Sequence, residues 1–219
     1  MKHKFRQPFS GFSHLISAIV AIVCSIWLIR HSINYGTSSH ILSFSVFCIS
    51  LILLYLSSAV YHLSFAKPET IRVLRKIDHM MITIFIAGCY TPICLIALKE
   101  SFGVPLLIAI WIIALLGAIK DLYWTNAPRW VRVGLYLVMG WLAVIALPQL
   151  ITVLPSGAIS LIVAEGIIYT LGAVIYATKW PNPVPEVFGF HEIWHLFVMA
   201  GSACHFLLIA LYLLPLPSH

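Results

Sequence analysis

Of the 219 residues, 61% are hydrophobic and only 9% are charged. Soluble domains are about 45–50% apolar and about 25% charged, so this composition excludes a soluble globular domain, a disordered chain and a small disulfide-stapled secreted protein. The net charge of +6 comes from basic residues lying between apolar runs. That pattern reads as positive loops of a membrane protein, and no nucleic-acid partner is expected.

Apolar runs occur at about 12–30, 41–62, 77–98, 102–120, 130–150, 157–178 and 189–214. Each is about the 20 residues a helix needs to cross a bilayer. Together they nearly fill the chain, which predicts one all-α domain over 1–219, a seven-transmembrane helix bundle. Lys2, Lys4 and Arg6 before the first run resemble a signal peptide, but no small-x-small cleavage site follows, so this run is read as a retained span. Between the second and third runs, residues 63–76 mix apolar side chains with Lys67, Arg72, Arg75 and Lys76. This segment is expected to lie in the headgroup layer. Only Lys99, Glu100 and Ser101 part the third and fourth runs, and the break after the fifth is marked by Pro148 and Pro155. The segment PNPVPE, 181–186, predicts a stiff non-helical entry to the last span. Trp124, Trp130 and Trp180 suit a membrane interface.

With the N-terminus cytoplasmic, the inner segments hold eleven Lys and Arg, and the outer ones only Arg30 and Lys99. The positive-inside rule therefore puts the N-terminus in the cytoplasm and the C-terminus outside. The five cysteines all lie in apolar runs with no C-x-x-C and read as buried hydrophobes.

Ionisable side chains inside spans are functional candidates. His191 and His195, in HEIWH, share a helix face one turn apart, as do Ser58 and His62 at the end of the second span. Asp78 opens the third span. Chain parity brings these three pieces to one depth in the inner leaflet. Three imidazoles and a carboxylate there suggest a Zn²⁺ site held by His62, His191 and His195, with a fourth position open to water. Asp78 would hold that water or act as general base, and Ser58 would orient His62 or donate to a developing oxyanion. A hydrogen-bonded polar cluster without metal is the alternative. Glu192 should point away from a metal held by the His pair. His205 lies ~21 Å along the helix from His191, too far to be a ligand, and reads as a cavity-lining or satisfied core histidine. His14 could stand behind the ligands, and His79 could be a surface residue or stand there too. Glu165 has no functional account.

SSAVYH (57–62), KIDHMM (76–81), FHEIWH (190–195) and GSACHF (201–206), with AGCYTP (87–92), YLVMGW (136–141) and YTLGAVIY (169–176), resemble the signatures of the hemolysin III family. That family is the bacterial branch of the progestin and adipoQ receptor (PAQR) proteins, within a wider group of membrane hydrolases that includes alkaline ceramidases. The resemblance spans essentially the whole chain. It implies a multi-pass seven-helix bundle, in the cytoplasmic (inner) membrane if the source is bacterial, with an inner-leaflet zinc on His62, His191 and His195 and Asp78 close to the zinc-bound water. Near the first span the chain departs from the family pattern: Gln7 and Ser10 stand where acidic and amide residues are expected, and only Ser13-His14 remains. Three functions are weighed. The first is a zinc-dependent hydrolase of a lipid amide or ester, with membrane lipids as partners. The second is a non-enzymatic membrane-state sensor with structural zinc. The third is a pore, disfavoured because spans four and five carry almost no polar stripe.

Overall fold

The computed structural model describes residues 5–124, 126–185 and 187–216. Lys2 and Lys4 of the basic N-terminal segment, and Glu186 of the proline-rich connector, lie outside the described residues. Among the described residues eight α-helices follow one another: α1 Pro8–Tyr35, α2 Ser38–Leu63, α3 Pro68–Pro92, α4 Gly103–Tyr123, α5 Arg129–Trp141, α6 Ala143–Val153, α7 Ser156–Thr178 and α8 Phe190–Leu208. Because α5 and α6 form one broken span, seven helical units are long and apolar enough to cross a membrane. Among the described residues there is no strand, only an isolated bridge between Val184 and Phe188. The protein is an all-α, seven-helix, multi-pass integral membrane protein.

The bundle is apolar outside and carries small polar residues inside. On α1 the buried face holds Ser10, His14, Ser17, Ser25 and Ser32 beside Gly11, Ala18 and Ala21. Ile16, Ile19, Val23 and Ile26 on the other face are more than half exposed and face lipid. Lipid offers no hydrophobic drive to associate, so helices in a membrane gain by close backbone approach and interhelical hydrogen bonds. Small inward residues allow both.

The α7–α8 pair shows the close approach. A Cβ added at Gly201 would sit 2.5 Å from the Tyr169 ring, whereas one at Gly166 would meet nothing within 4 Å. Gly201→Ala is therefore expected to lower the unfolding midpoint in detergent, with an overpacking cost of about 1–3 kcal/mol. Gly166→Ala should be neutral or stabilising, because alanine favours a helix by up to about 1 kcal/mol. Equal midpoints for the two variants would contradict this packing.

Two boundaries differ from the sequence expectation. The amphipathic stretch after α2 is not a separate surface segment, because α3 already starts at Pro68. Proline at the first helical position and Glu69 in the first turn are strong helix-start features. Only residues 64–67 connect the two helices. Pro148 does not mark a loop but lies inside α6. Its missing N–H leaves a carbonyl one turn earlier without its helical partner, and the helical span is interrupted just upstream, at Leu142. Pro155, which caps α7, is the residue that marks the loop. Helices α3 and α8 end in π-helical turns, Ile93–Ala97 and Ile209–Leu213.

The end of α2, the starts of α3 and α8, and the end of α7 meet at one end of the bundle. Between α7 and α8 the chain is non-helical over 180–185, as its prolines require. The exposed Trp124, Trp130 and Trp180 lie at this same end. A mostly apolar cavity of about 270 Å³ runs inward from there.

Candidate metal centre

Each helix brings its polar residue to this end by a local rule. Ser58 and His62 lie in the last two turns of α2, and Asp78 sits some ten residues into α3. His191 and His195 occupy the first two turns of α8. The start of α8 is fixed by Glu192, whose Oε2 accepts the Gly189 backbone N–H at 2.9 Å, while its Oε1 accepts the Ser10 hydroxyl at 2.8 Å. That carboxylate is thus engaged by Gly189 and Ser10, and Glu192 is not a member of the three-imidazole group.

His62, His191 and His195 each offer a ring nitrogen, and these nitrogens lie within 4.8 Å of one another. His62 and His195 are buried and His191 is half-buried. The Nε2 atoms of His62 and His191 are 3.4 Å apart, long for a hydrogen bond. Two nitrogens bound at 2.0–2.1 Å to a tetrahedral ion would stand about 3.3 Å apart. His195 Nδ1 is buried without a hydrogen-bond partner, a state that costs about 1–3 kcal/mol unless something binds it. Nitrogen spacing, orphaned donor and ligand type all fit a late divalent metal ion.

The ring of His62 is fixed from behind. Its Nδ1–H donates to Gln7 Oε1 at 2.5 Å, which leaves the Nε2 lone pair toward the other imidazoles. The Gln7 backbone N–H also reaches His62 O at 3.1 Å, and Arg6 donates to Tyr61 O at 2.7 Å. Such supporting partners orient metal-binding histidines, and their loss costs about 10–100-fold in metal affinity. Gln7→Leu is therefore expected to weaken zinc binding by about that factor while leaving the stoichiometry intact at saturating metal. Unchanged affinity in a competition titration would remove Gln7 from the site.

Asp78 and Ser58 are buried on the wall of the cavity that His191 and His195 also line. The Ser58 hydroxyl is the hydrogen-bonding neighbour of the Asp78 carboxyl. Asp78 is not a member of the three-ligand group. The other polar residues divide. His14 stacks on His195 with ring centroids 3.8 Å apart, and neither of its nitrogens has a partner. Arg132 donates to His79 Nδ1 at 3.1 Å, so His79 stands on the cavity wall behind the site and not on the outer surface. His205 lies away from the three histidines and meets Glu165 at 2.9 Å. Of the five cysteines, Cys48, Cys89 and Cys94 are buried, but Cys24 and Cys204 are only half-buried.

Sequence reasoning missed the roles of Gln7 and Ser10. Their signal was present: Gln7, Ser10, His14 and Ser17 recur at helical spacing and form one polar stripe along an otherwise apolar helix.

Comparison with known proteins agrees with this architecture. The haemolysin-III related family matches residues 2–206. The hemolysin-3 homolog of Bacillus subtilis (strain 168) is 36% identical over 208 residues, covering 95% of this chain and 94% of the relative. Hemolysin-3 of Bacillus cereus is 37% identical over 212 residues, covering 95% and 92%. More distantly, the human monocyte to macrophage differentiation factor is 25% identical over 211 residues, covering 94% and 84%. The chain belongs to the haemolysin-III related family.

Proposed function

We propose that the protein is a zinc-dependent hydrolase of a lipid amide or ester, acting at the inner leaflet of its membrane. The observation that carries this reading is that His191 and His195 of the three-imidazole group line the same apolar cavity as Asp78 and Ser58. The zinc would be held by His62, His191 and His195. When bound, zinc supplies Lewis-acid polarisation of a carbonyl and a lowered pKa for water.

The remaining steps belong to the chain's own residues. The apolar walls, among them Ile82, Ile86, Leu147 and Val198, take an acyl chain and exclude bulk water. The Ser58 hydroxyl orients the Asp78 carboxyl and is placed to donate to the carbonyl oxygen as charge develops there. Asp78 accepts a proton from the attacking water and returns it to the leaving nitrogen or oxygen. The water oxygen bonds to the carbonyl carbon, the C–N or C–O bond breaks, and an acid leaves with an amine or alcohol. The positive-inside count supports a cytoplasmic N-terminus, which puts this end of the bundle at the inner headgroups.

Zinc-loaded protein in vesicles, given a panel of lipid amides and esters, tests the reading. Turnover that requires Asp78 supports it, and no turnover on any substrate removes it. One observation favours a second reading, a sensor with structural zinc: the site joins α2 to α8 while Gln7 ties in the start of α1, so a bound ion would staple three helices. Structural zinc sites are usually closed by four protein ligands. The distance from Asp78 to a bound metal separates the two: ~2.0–2.2 Å closes the site, whereas an intervening water leaves it open.

A further inference from the structure

A second cluster of metal-ligating side chains lies deeper in the bundle and has no part in the chemistry above. Cys89 on α3, Glu165 on α7 and His205 on α8 each present one donor atom, all within 4.8 Å of one another. They line the same cavity as His191 and His195 of the first site. Cys89 is eleven residues beyond Asp78 on α3, and His205 is ten beyond His195 on α8, a separation of about 15–17 Å along each helix.

Three observations argue that this cluster is a site and not incidental packing. His205 is 1% exposed. His205 Nδ1 and Glu165 Oε2 stand 2.9 Å apart. Two ligand atoms of a tetrahedral zinc ion stand about 3.3 Å apart, so the pair need separate by only a few tenths of an ångström. A carboxyl group and an imidazole deep in a membrane bundle are costly to keep there and mark a functional position. The thiol of Cys89 gives this cluster a soft donor that the three-histidine site lacks.

We infer that Cys89, Glu165 and His205 form a second binding site for a late divalent transition metal such as zinc, at the inner end of the cavity. Thiolate, imidazole and carboxylate together select such ions over magnesium or calcium, which prefer all-oxygen sites. Binding exchanges the Cys89 S–H bond for a sulfur–metal bond and releases that proton to solvent, with no change of oxidation state. This goes beyond the proposed hydrolase and does not depend on it.

The sulfur ligand makes the test selective. Purified full-length protein in detergent micelles is stripped with chelator and titrated with Co²⁺. The expected result is two equivalents per chain, one of them giving a thiolate-to-cobalt charge-transfer band in the near ultraviolet. Cys89→Ser should lose that band and one equivalent while keeping the d–d absorption of the three-histidine site, which also reports a folded chain. His191→Ala/His195→Ala should do the reverse, keeping the sulfur band. Failure of the three-histidine reading and failure of this one are thereby distinguishable. Should Cys89→Ser misfold, the isosteric Glu165→Gln decides. Loss of a supporting partner alone weakens a site by about 10–100-fold, so loss of a direct ligand should weaken the sulfur-ligated equivalent at least about tenfold. A single equivalent without a charge-transfer band in the wild type overturns the inference. So does a band that survives Cys89→Ser, or unchanged affinity in Glu165→Gln.

Discussion

Replacing His191 and His195 together by alanine is expected to remove one zinc equivalent per chain, read by mass spectrometry of protein purified without chelator. The two residues supply two of the three imidazoles, and a lone His62 has no second nitrogen with which to hold an ion. The fold should survive, because His195 Nδ1 is already unpartnered and alanine removes that buried polar atom. A metal bound only by the folded state adds stability as RT ln(1 + [L]/Kd), about 2.7 kcal/mol at a hundredfold excess over Kd. For a chain of this size that corresponds to a rise in unfolding midpoint of about 5–10 °C. Wild-type protein should show this zinc-dependent rise and the double variant should lose the part due to this site. An unchanged zinc content in the variant would show that the ion is held elsewhere, and the three-histidine site would fall. Zinc absent from both proteins would leave a polar cluster, and with it a non-catalytic role would lead.

Much of this was legible in the sequence, for reasons that can be stated residue by residue. Seven spans were readable because a helix crossing lipid must satisfy its own backbone and present an apolar outer face over a fixed length. Chain parity then placed His62, Asp78 and His191 at one end of the bundle with no knowledge of packing. What parity cannot give is rotation about each helix axis. Whether His14 faces His195 or the lipid depends on which face of α1 packs inward, and that is decided by small residues such as Gly11 and Ala18. The Gln7 support was hidden for the same reason: it precedes the first apolar run and looks like part of a polar tail, yet its backbone and side chain both dock on His62. Cys89 and Glu165 are 76 positions apart in the chain, on helices whose faces only tertiary packing brings together. Pro148 misled because a proline in a transmembrane helix can interrupt a helix without ending the span.

Asp78→Asn is expected to abolish turnover while leaving the metal in place, and the two readouts together decide between the readings. The carboxamide keeps the shape of the side chain and can still accept a hydrogen bond from Ser58, but it cannot take up a proton at neutral pH. If Asp78 is the general base, its loss should lower the rate by about 10²–10⁴-fold. Ser58→Ala, which removes a donor to the developing oxyanion, should cost about 10²–10³-fold. Neither change should reduce zinc content, because the ligand group comprises His62, His191 and His195 alone. Loss of zinc in Asp78→Asn would mean that the carboxylate closes the coordination sphere, with no position left for water. The site would then be structural, and a sensor that staples α1, α2 and α8 would be the better account. Retained zinc with undiminished turnover would assign the proton transfer to another residue on the cavity wall. His14 would then be the first to replace, since its ring stacks on His195 and both its nitrogens lack partners.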